Sequence, residues 1–342
     1  MIVRFGYVAM SVELANASPS KTMTMATFSK LLNREAGLRR LERIAEENLH
    51  NTLRLLKHNR YMGVQVYRMT SKIIPLATHQ ELNEWDPYPA LAQAFAEVGA
   101  FVREHNMRVS FHPDHFTVLS TPRKEVLSNS INDLQYHVRM LEAMGLDARA
   151  TNNIHVGGSY GDKGVSGKRF ITQFRTIDKR ITDRITLEND DKTFTAAETL
   201  SIAEEVGVPM VLDIHHHAVN PGDEQAVDLW PRILKTWDRF SWNEQQAKLA
   251  DEGVAPQWLP PKIHVSSPKS ESDLRGHADH IDVEPLVKFL YEIASTTPAI
   301  DVMIEAKRKD EALLKLMEDF RAIEASGGPI RVIDGGSLEV LS

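Results

Sequence analysis

The chain has 342 residues, 42% of them hydrophobic and 25% charged, with a net charge of −7 and no cysteine. That composition is of an ordinary globular protein; it excludes a disordered or disulfide-stapled chain and any thiolate metal ligand. The acidic balance argues mildly against a nucleic-acid partner, although bound divalent cations or local clusters of Lys and Arg would offset it. The opening MIVRFGYVAM lacks the basic n-region and long apolar h-region of a signal peptide, and no apolar run reaches spanning length. A cytoplasmic protein with no membrane partner is therefore expected.

Short β-rich segments recur along the chain. They are IVRFGYV at 2–8, GVQVYRM at 63–69, MRVSFH at 107–112 and NNIHVGG at 152–158, then RITLEN at 184–189, PMVLDI at 209–214, KIHVSS at 262–267 and DVMIEA at 301–306. Between them lie stretches such as LRRLERIAEENLHNTLRLLKHN, YPALAQAFAEVGAFVREHN and TAAETLSIAEEVG, with apolar residues at helical spacing and Gly or Asn at several ends. Eight strands alternating with helices predict a (β/α)8 TIM barrel. A doubly wound open sheet also alternates, but no Gly-rich fingerprint follows the first strand. The expected organisation is one barrel domain over 1–325, a helical insertion at 219–261 before the seventh strand, and a C-terminal tail at 326–342.

Polar residues collect where these strands end. His79 follows the second strand and His112 ends the third. His155 sits in the fourth, Glu188 ends the fifth, and Asp213 with His216 ends the sixth. His264 lies in the seventh, His277 in the loop beyond it, and Glu305 ends the eighth. In a barrel such ends converge on one mouth. Glu188 in LEND and Glu305 in MIEAK follow apolar runs, where an unpaired carboxylate is costly. Several carboxylates and imidazoles at one mouth are explained most economically by bound cations. Ligation by His and carboxylate without Cys suits Zn, Mn, Fe or Co. With at least seven donors the site should hold two or three ions, with Glu188 or Glu305 bridging a pair. In VLDIHHH, Asp213 and His216 are the expected ligands, leaving His215 and His217 outside the ligand set.

Lys262 stands two residues before His264, so both side chains face the barrel interior. A buried ammonium beside cations is unfavourable. It must pair with an acidic residue, lose its proton or be modified, for example by carboxylation to a carbamate.

The motifs RFGYV, YRMTSKIIPLATH, FHPDHFTVLS, NIHVGGSYGDK, LENDDKTF, VLDIHHH, KIHVSSPK, RGHADH and IEAKRKDEALLKL together, in this order, resemble the UV damage endonuclease family over residues 2 to about 317. The resemblance implies a (β/α)8 barrel similar to endonuclease IV and a cluster of up to three divalent ions, often manganese. It implies nicking of duplex DNA immediately 5′ to UV photoproducts, leaving a 3′-hydroxyl. It implies the metal ligands His112, His155, Glu188, Asp213, His216, His264, His277 and Glu305, with His79 near the metals. Glu188, Lys262 and Tyr7 are then expected at the reaction centre. Lys262 matches a lysine the family can carry carboxylated, and Tyr7 a tyrosine beside the lesion.

Some relatives carry Gln-Tyr, inserted into the duplex at the damage, where this chain has His115 and Phe116. An imidazole and a phenyl ring can still fill the gap left by flipped bases. Phosphate contacts are expected from strand-to-helix loops, among them Lys163 and Arg275. The implied partner is UV-damaged double-stranded DNA, acted on by a monomer with no protein partner implied. The ions are expected to be Mn, with Zn, Co or Mg as alternatives. An abasic-site endonuclease, or a sugar isomerase or epimerase on a similar barrel, is the competing function, since fold alone does not choose between them.

Overall fold

A computed structural model describes residues 1–240 and 259–341. Eight parallel strands form its centre: β1 (Ile2–Val8), β2 (Val66–Arg68), β3 (Arg108–Phe111), β4 (Thr151–His155), β5 (Ile185–Glu188), β6 (Met210–Asp213), β7 (Lys262–Val265) and β10 (Ala299–Ile304). Each pairs with the next, and β1 closes the ring on β10, with Ile2 opposite Ala299 and Gly6 opposite Met303. This is the (β/α)8 barrel that the alternation predicted. Between β7 and β10 the chain makes a separate antiparallel hairpin, β8 (Pro268–Ser270) and β9 (Asp273–His277), which the sequence pattern did not reveal.

The helices around the barrel carry the local signals that start and stop them. Asn33 caps the long helix Arg34–Tyr61, its side chain accepting the Ala36 amide, and Leu41, Ala45, Leu49 and Leu56 form its buried face. Thr195 and Glu198 make a reciprocal capping box on Ala196–Val206, and Gly207, at φ 72°, ends that helix in the left-handed conformation.

β2 is shorter than the seven-residue segment expected at 63–69, and a later segment takes the space it leaves. The first half of β1 pairs antiparallel with β12 (Ser337–Val340), Ile2 opposite Glu339, and β12 pairs in turn with β11 (Ile330–Val332). The residues after 326 thus cover backbone that would otherwise present an unpaired strand edge. Gly6 marks where β1 and β2 meet: a Cβ there would lie 2.1 Å from the Val66 carbonyl oxygen. Of the stretch 219–261, the helix Ala226–Thr236 packs in the outer layer, where Trp230 donates to Thr297 (2.8 Å) and sets its ring edge-on to Phe289. Residues 241–258 of that stretch lie outside the described residues.

The barrel interior has a polar floor, with Val8, Val66 and Met303 packed together above it. Asp301, fully buried, takes two bonds from the Arg4 guanidinium (2.7 and 2.8 Å) and one from Arg108 (2.7 Å), which also donates to the Pro260 carbonyl. The Arg108 guanidinium lies 5.1 Å from the centre of the Trp237 ring. Lys262 shares this floor, its Nζ donating to Ser110 Oγ at 3.0 Å. Two residues further along β7, β3 and β6 the same inward parity presents His264, His112 and Asp213 at the strands' C-terminal ends.

Candidate metal centre

Glu188, at the end of β5, is the hub of the mouth. Its carboxylate is buried, with Oε2 3.1 Å from both His112 Nε2 and His264 Nδ1, and Oε1 3.5 Å from His216 Nδ1. Asn153 of β4 donates to Oε2 as well. Asp213 is equally buried and accepts the His216 amide at 2.7 Å. Glu305 lies 3.2 Å from His264 Nδ1 and is paired with Arg68 of β2. Ligand atoms of His112, His155 and Glu188, and again of Glu188, Asp213 and His264, lie within 4.8 Å of one another.

Four imidazoles are oriented in the same way. Nδ1 of His112 faces the Pro113 carbonyl (3.0 Å), that of His155 the Glu188 carbonyl (3.2 Å), that of His216 the Asn189 carbonyl (3.0 Å) and that of His277 the Glu305 carbonyl (2.9 Å). A carbonyl oxygen only accepts, so Nδ1 carries the proton in each ring, and the neutral imidazole keeps its lone pair on Nε2. Backbone orientation of the non-ligating nitrogen is how metal-binding histidines are usually held. In His112 the free Nε2 then confronts a carboxylate oxygen, two electron-rich atoms with room only for a second proton or a cation between them.

The charge pattern and the unpaired atoms agree with that reading. Burial pushes the Asp213 carboxyl up to about 7, with Glu188 and Glu305 adding to the rise. Burial acts the same way on Glu188, but His264 and His155 hold its carboxyl well below the usual range; for Glu305, Arg68 does so. Against the opposing effect of burial, Asp213 and Glu188 raise His216 to about 9, and Glu188 raises His264 to about 9. Glu188 Oε1, Asp213 Oδ2 and both nitrogens of His264 are buried without a hydrogen bond; His264 Nδ1 is close to two carboxylates but not aligned with either. Buried polar atoms are rarely left so. A hard or borderline cation with N and O ligands fits this donor set.

Other expected residues lie elsewhere. His79 caps the short helix Gln80–Leu82, its Nδ1 accepting the Glu81 amide at 3.3 Å, and lines a surface groove with Asn129 and Asp133. No contact joins it to the cluster among the described residues. Tyr7, expected beside the lesion, is fully buried instead: its hydroxyl donates to Asn59 Oδ1 (2.5 Å) on the helix Arg34–Tyr61, and its ring meets Tyr67 edge-on. Strand parity is the reason. Arg4 points inward to Asp301, so Tyr7, three residues on, points outward to the helices. His115 and Phe116 are exposed on the loop after β3, rings 4.1 Å apart, with His115 Nδ1 2.8 Å from Asp114. Lys163 pairs with Glu198 (2.8 Å) and Arg275 with Asp191 (3.7 Å), both at the surface. Arg68 and Asn153, which contact the two glutamates, carried no signal in the sequence beyond their inward parity.

A family model described as UV-endonuclease UvdE matches residues 3–332. The UV DNA damage endonuclease of Halalkalibacterium halodurans is 45% identical, covering 94% of each chain, and that of Bacillus velezensis is 42% identical, covering 99% of each. The chain belongs to the UV-endonuclease family. Among solved structures, the crystal structure of SacUVDE is 27% identical, with a TM-score of 0.78 over 94% of this chain and 99% of that one. Endonuclease IV from Thermus thermophilus, at 14% identity and a TM-score of 0.52 over 94% of this chain and 99% of that one, shares the fold.

Protons held at this mouth would compete with a cation bound there. In the metal-free protein the folded His216 and His264 sit above the ordinary imidazole value of about 6.5. Their contribution to stability is therefore complete below that value and is lost as pH rises through about 9. A cation must displace the same protons. Calorimetric titration of stripped protein should accordingly show Mn2+ affinity rising between pH 6.5 and 9, with proton release on binding. A flat affinity across that window would contradict the assigned protonation.

Proposed function

We propose that this endonuclease nicks duplex DNA immediately 5′ to UV photoproducts by metal-assisted hydrolysis of the phosphodiester. The observation that supports it best is the convergence of Glu188, Asp213 and Glu305 with His112, His155, His216 and His264 at one mouth, with several of their buried polar atoms unpaired. The proposed ligands are these residues and His277; His79 is a candidate only if its loop moves. Two or three divalent ions, with Mn first among them, suit the number of donors. Bound there, they would neutralise charge at the scissile phosphate and make water acidic enough to attack at neutral pH.

Glu188 faces three imidazoles and is the residue proposed to be shared between ions. Exchange of Glu188 for Gln should abolish incision of UV-irradiated duplex while melting temperature and circular dichroism stay near those of the parent. The same assay, run on UV-damaged, abasic and undamaged duplexes with the cut mapped, tests the substrate. Cutting confined to abasic sites, or full activity in the Glu188→Gln protein, would overturn the proposal.

Lys262 is proposed to be carboxylated. It is buried beside Ser110, and burial together with the Arg108 charge holds its amine well below the ordinary lysine value. The neutral amine is the form that adds CO2. Native intact mass at mildly alkaline pH should show one added CO2 in the parent and none in Lys262→Arg; an unmodified parent mass would refute it.

The rim is proposed to read the lesion. Lys163 and Arg275 are held by exposed ion pairs worth little, so each can exchange a carboxylate for a phosphate. A cross-linked photoproduct stacks and pairs poorly, so extruding it costs less than extruding normal bases. Phe116 and His115 stand out from the surface where they can fill the space left behind. Phe116→Ala should weaken binding of UV-damaged duplex by ~1–3 kcal/mol, leaving metal content and affinity for undamaged DNA near the parent's. Equal binding and cutting of damaged duplex by the variant would rule this loop out.

A further inference from the structure

Between β5 and β6 the hydrogen-bond ladder stops early, and one side chain continues it. Leu187 and Glu188 lie opposite Met210 and Val211, and the Leu187 amide donates to the Pro209 carbonyl. In an evenly spaced parallel ladder, the Asp213 amide would next donate to the Asn189 main-chain carbonyl. It does not. The Asp213 amide donates instead to Asn189 Oδ1 at 2.9 Å, and Asn189 Nδ2 donates back to the Asp213 carbonyl, also at 2.9 Å. The main-chain carbonyl of Asn189, released from the ladder, accepts Nδ1 of His216 at 3.0 Å. Asn189 is fully buried, and both ends of its amide are satisfied.

We infer that Asn189 is a positioning residue that sets the seam from which Glu188, Asp213 and His216 converge. Its side-chain amide replaces one step of backbone pairing, so the strands part by the length of that side chain while the Asp213 amide and carbonyl both stay bonded. The carbonyl thereby freed keeps the His216 proton on Nδ1 and leaves the Nε2 lone pair available to a cation. The carboxylates on either side, Glu188 on β5 and Asp213 on β6, are held across a gap that a continuous ladder would narrow. Among uncharged polar side chains only an amide offers both a donor and an acceptor in this pairing geometry; Ser or Ala cannot close both bonds, and Gln is one methylene too long.

The inference rests on the proposed metal site and is tested apart from catalysis, with Co2+ as the probe. Asn189→Ala and Asn189→Leu, the latter of similar volume, should bind Co2+ about 10–100-fold more weakly than the parent, the usual loss when an outer partner of a ligand is removed. Their d–d absorption bands should shift, because Asp213 and His216 no longer hold their places. Both are measured well below each variant's melting temperature, where a purely structural defect would leave affinity and spectrum alone. Glu188→Gln and Asp213→Asn serve as controls. If those bind Co2+ like the parent, the metal-site reading itself fails. If they lose binding while the Asn189 variants keep the parent's affinity and spectrum, the positioning role is overturned. Amide hydrogen exchange in the parent needs no variant to fold: the Asp213 amide should be protected as well as the amides within β6, and rapid exchange there would equally overturn the inference.

Discussion

The mouth of this barrel is governed by like-charge repulsion among buried carboxylates. Glu188, Asp213 and Glu305 are brought to one place by the strand ends, the first two fully buried and Glu305 nearly so, where water screens them poorly. The protein answers unequally. Glu305 is neutralised by Arg68 and Glu188 by flanking imidazoles, whereas Asp213 is left with a carboxyl pushed up to about 7. The compromise leaves carboxylate and imidazole atoms unpaired in the interior, a condition that a divalent cation would resolve.

The interior below has the opposite sign. Arg4 and Arg108 share the Asp301 carboxylate, Lys262 is bonded to Ser110 beside them, and Trp237 lies against the guanidinium of Arg108. Most barrels of this fold fill their centre with layers of branched apolar side chains. Here a cationic floor lies under an anionic mouth, so each layer lowers the electrostatic cost of the other. Lys262 stands at the boundary, two residues below His264.

Side chains are held by fewer buried contacts toward the rim. The ligand candidates are tied to backbone carbonyls and buried amides, while the basic residues of the rim sit in exposed pairs and His115 and Phe116 project into solvent. A fixed centre with an exchangeable rim suits a substrate whose phosphates must be gripped in many sequences while the chemistry stays in one place. A net charge of −7 is compatible with a family of DNA endonucleases: several acidic residues stand at the mouth, where bound cations would offset them, and total charge says little about the local field.

What the sequence alone determined is whatever repeats or alternates. Eight apolar segments spaced by amphipathic helices specify the barrel, and donor residues at the ends of those segments specify one mouth, because strand parity and the parallel order leave few other arrangements. His112, His155, Glu188, Asp213, His216, His264 and Glu305 were legible for that reason. Tertiary structure decided what depends on a neighbour distant in the chain. Parity relative to Arg4 turned Tyr7 outward to Asn59, and Arg68 found Glu305 across 237 positions. β12 took the edge that the short β2 left open, and Asn189 substituted its side chain for a step of backbone ladder. The last three have no local pattern, since each follows from where two strands end relative to one another, a length that hydrophobic periodicity does not encode; for Tyr7 the period was local, but which face turned inward was set by the contact of Arg4 with Asp301.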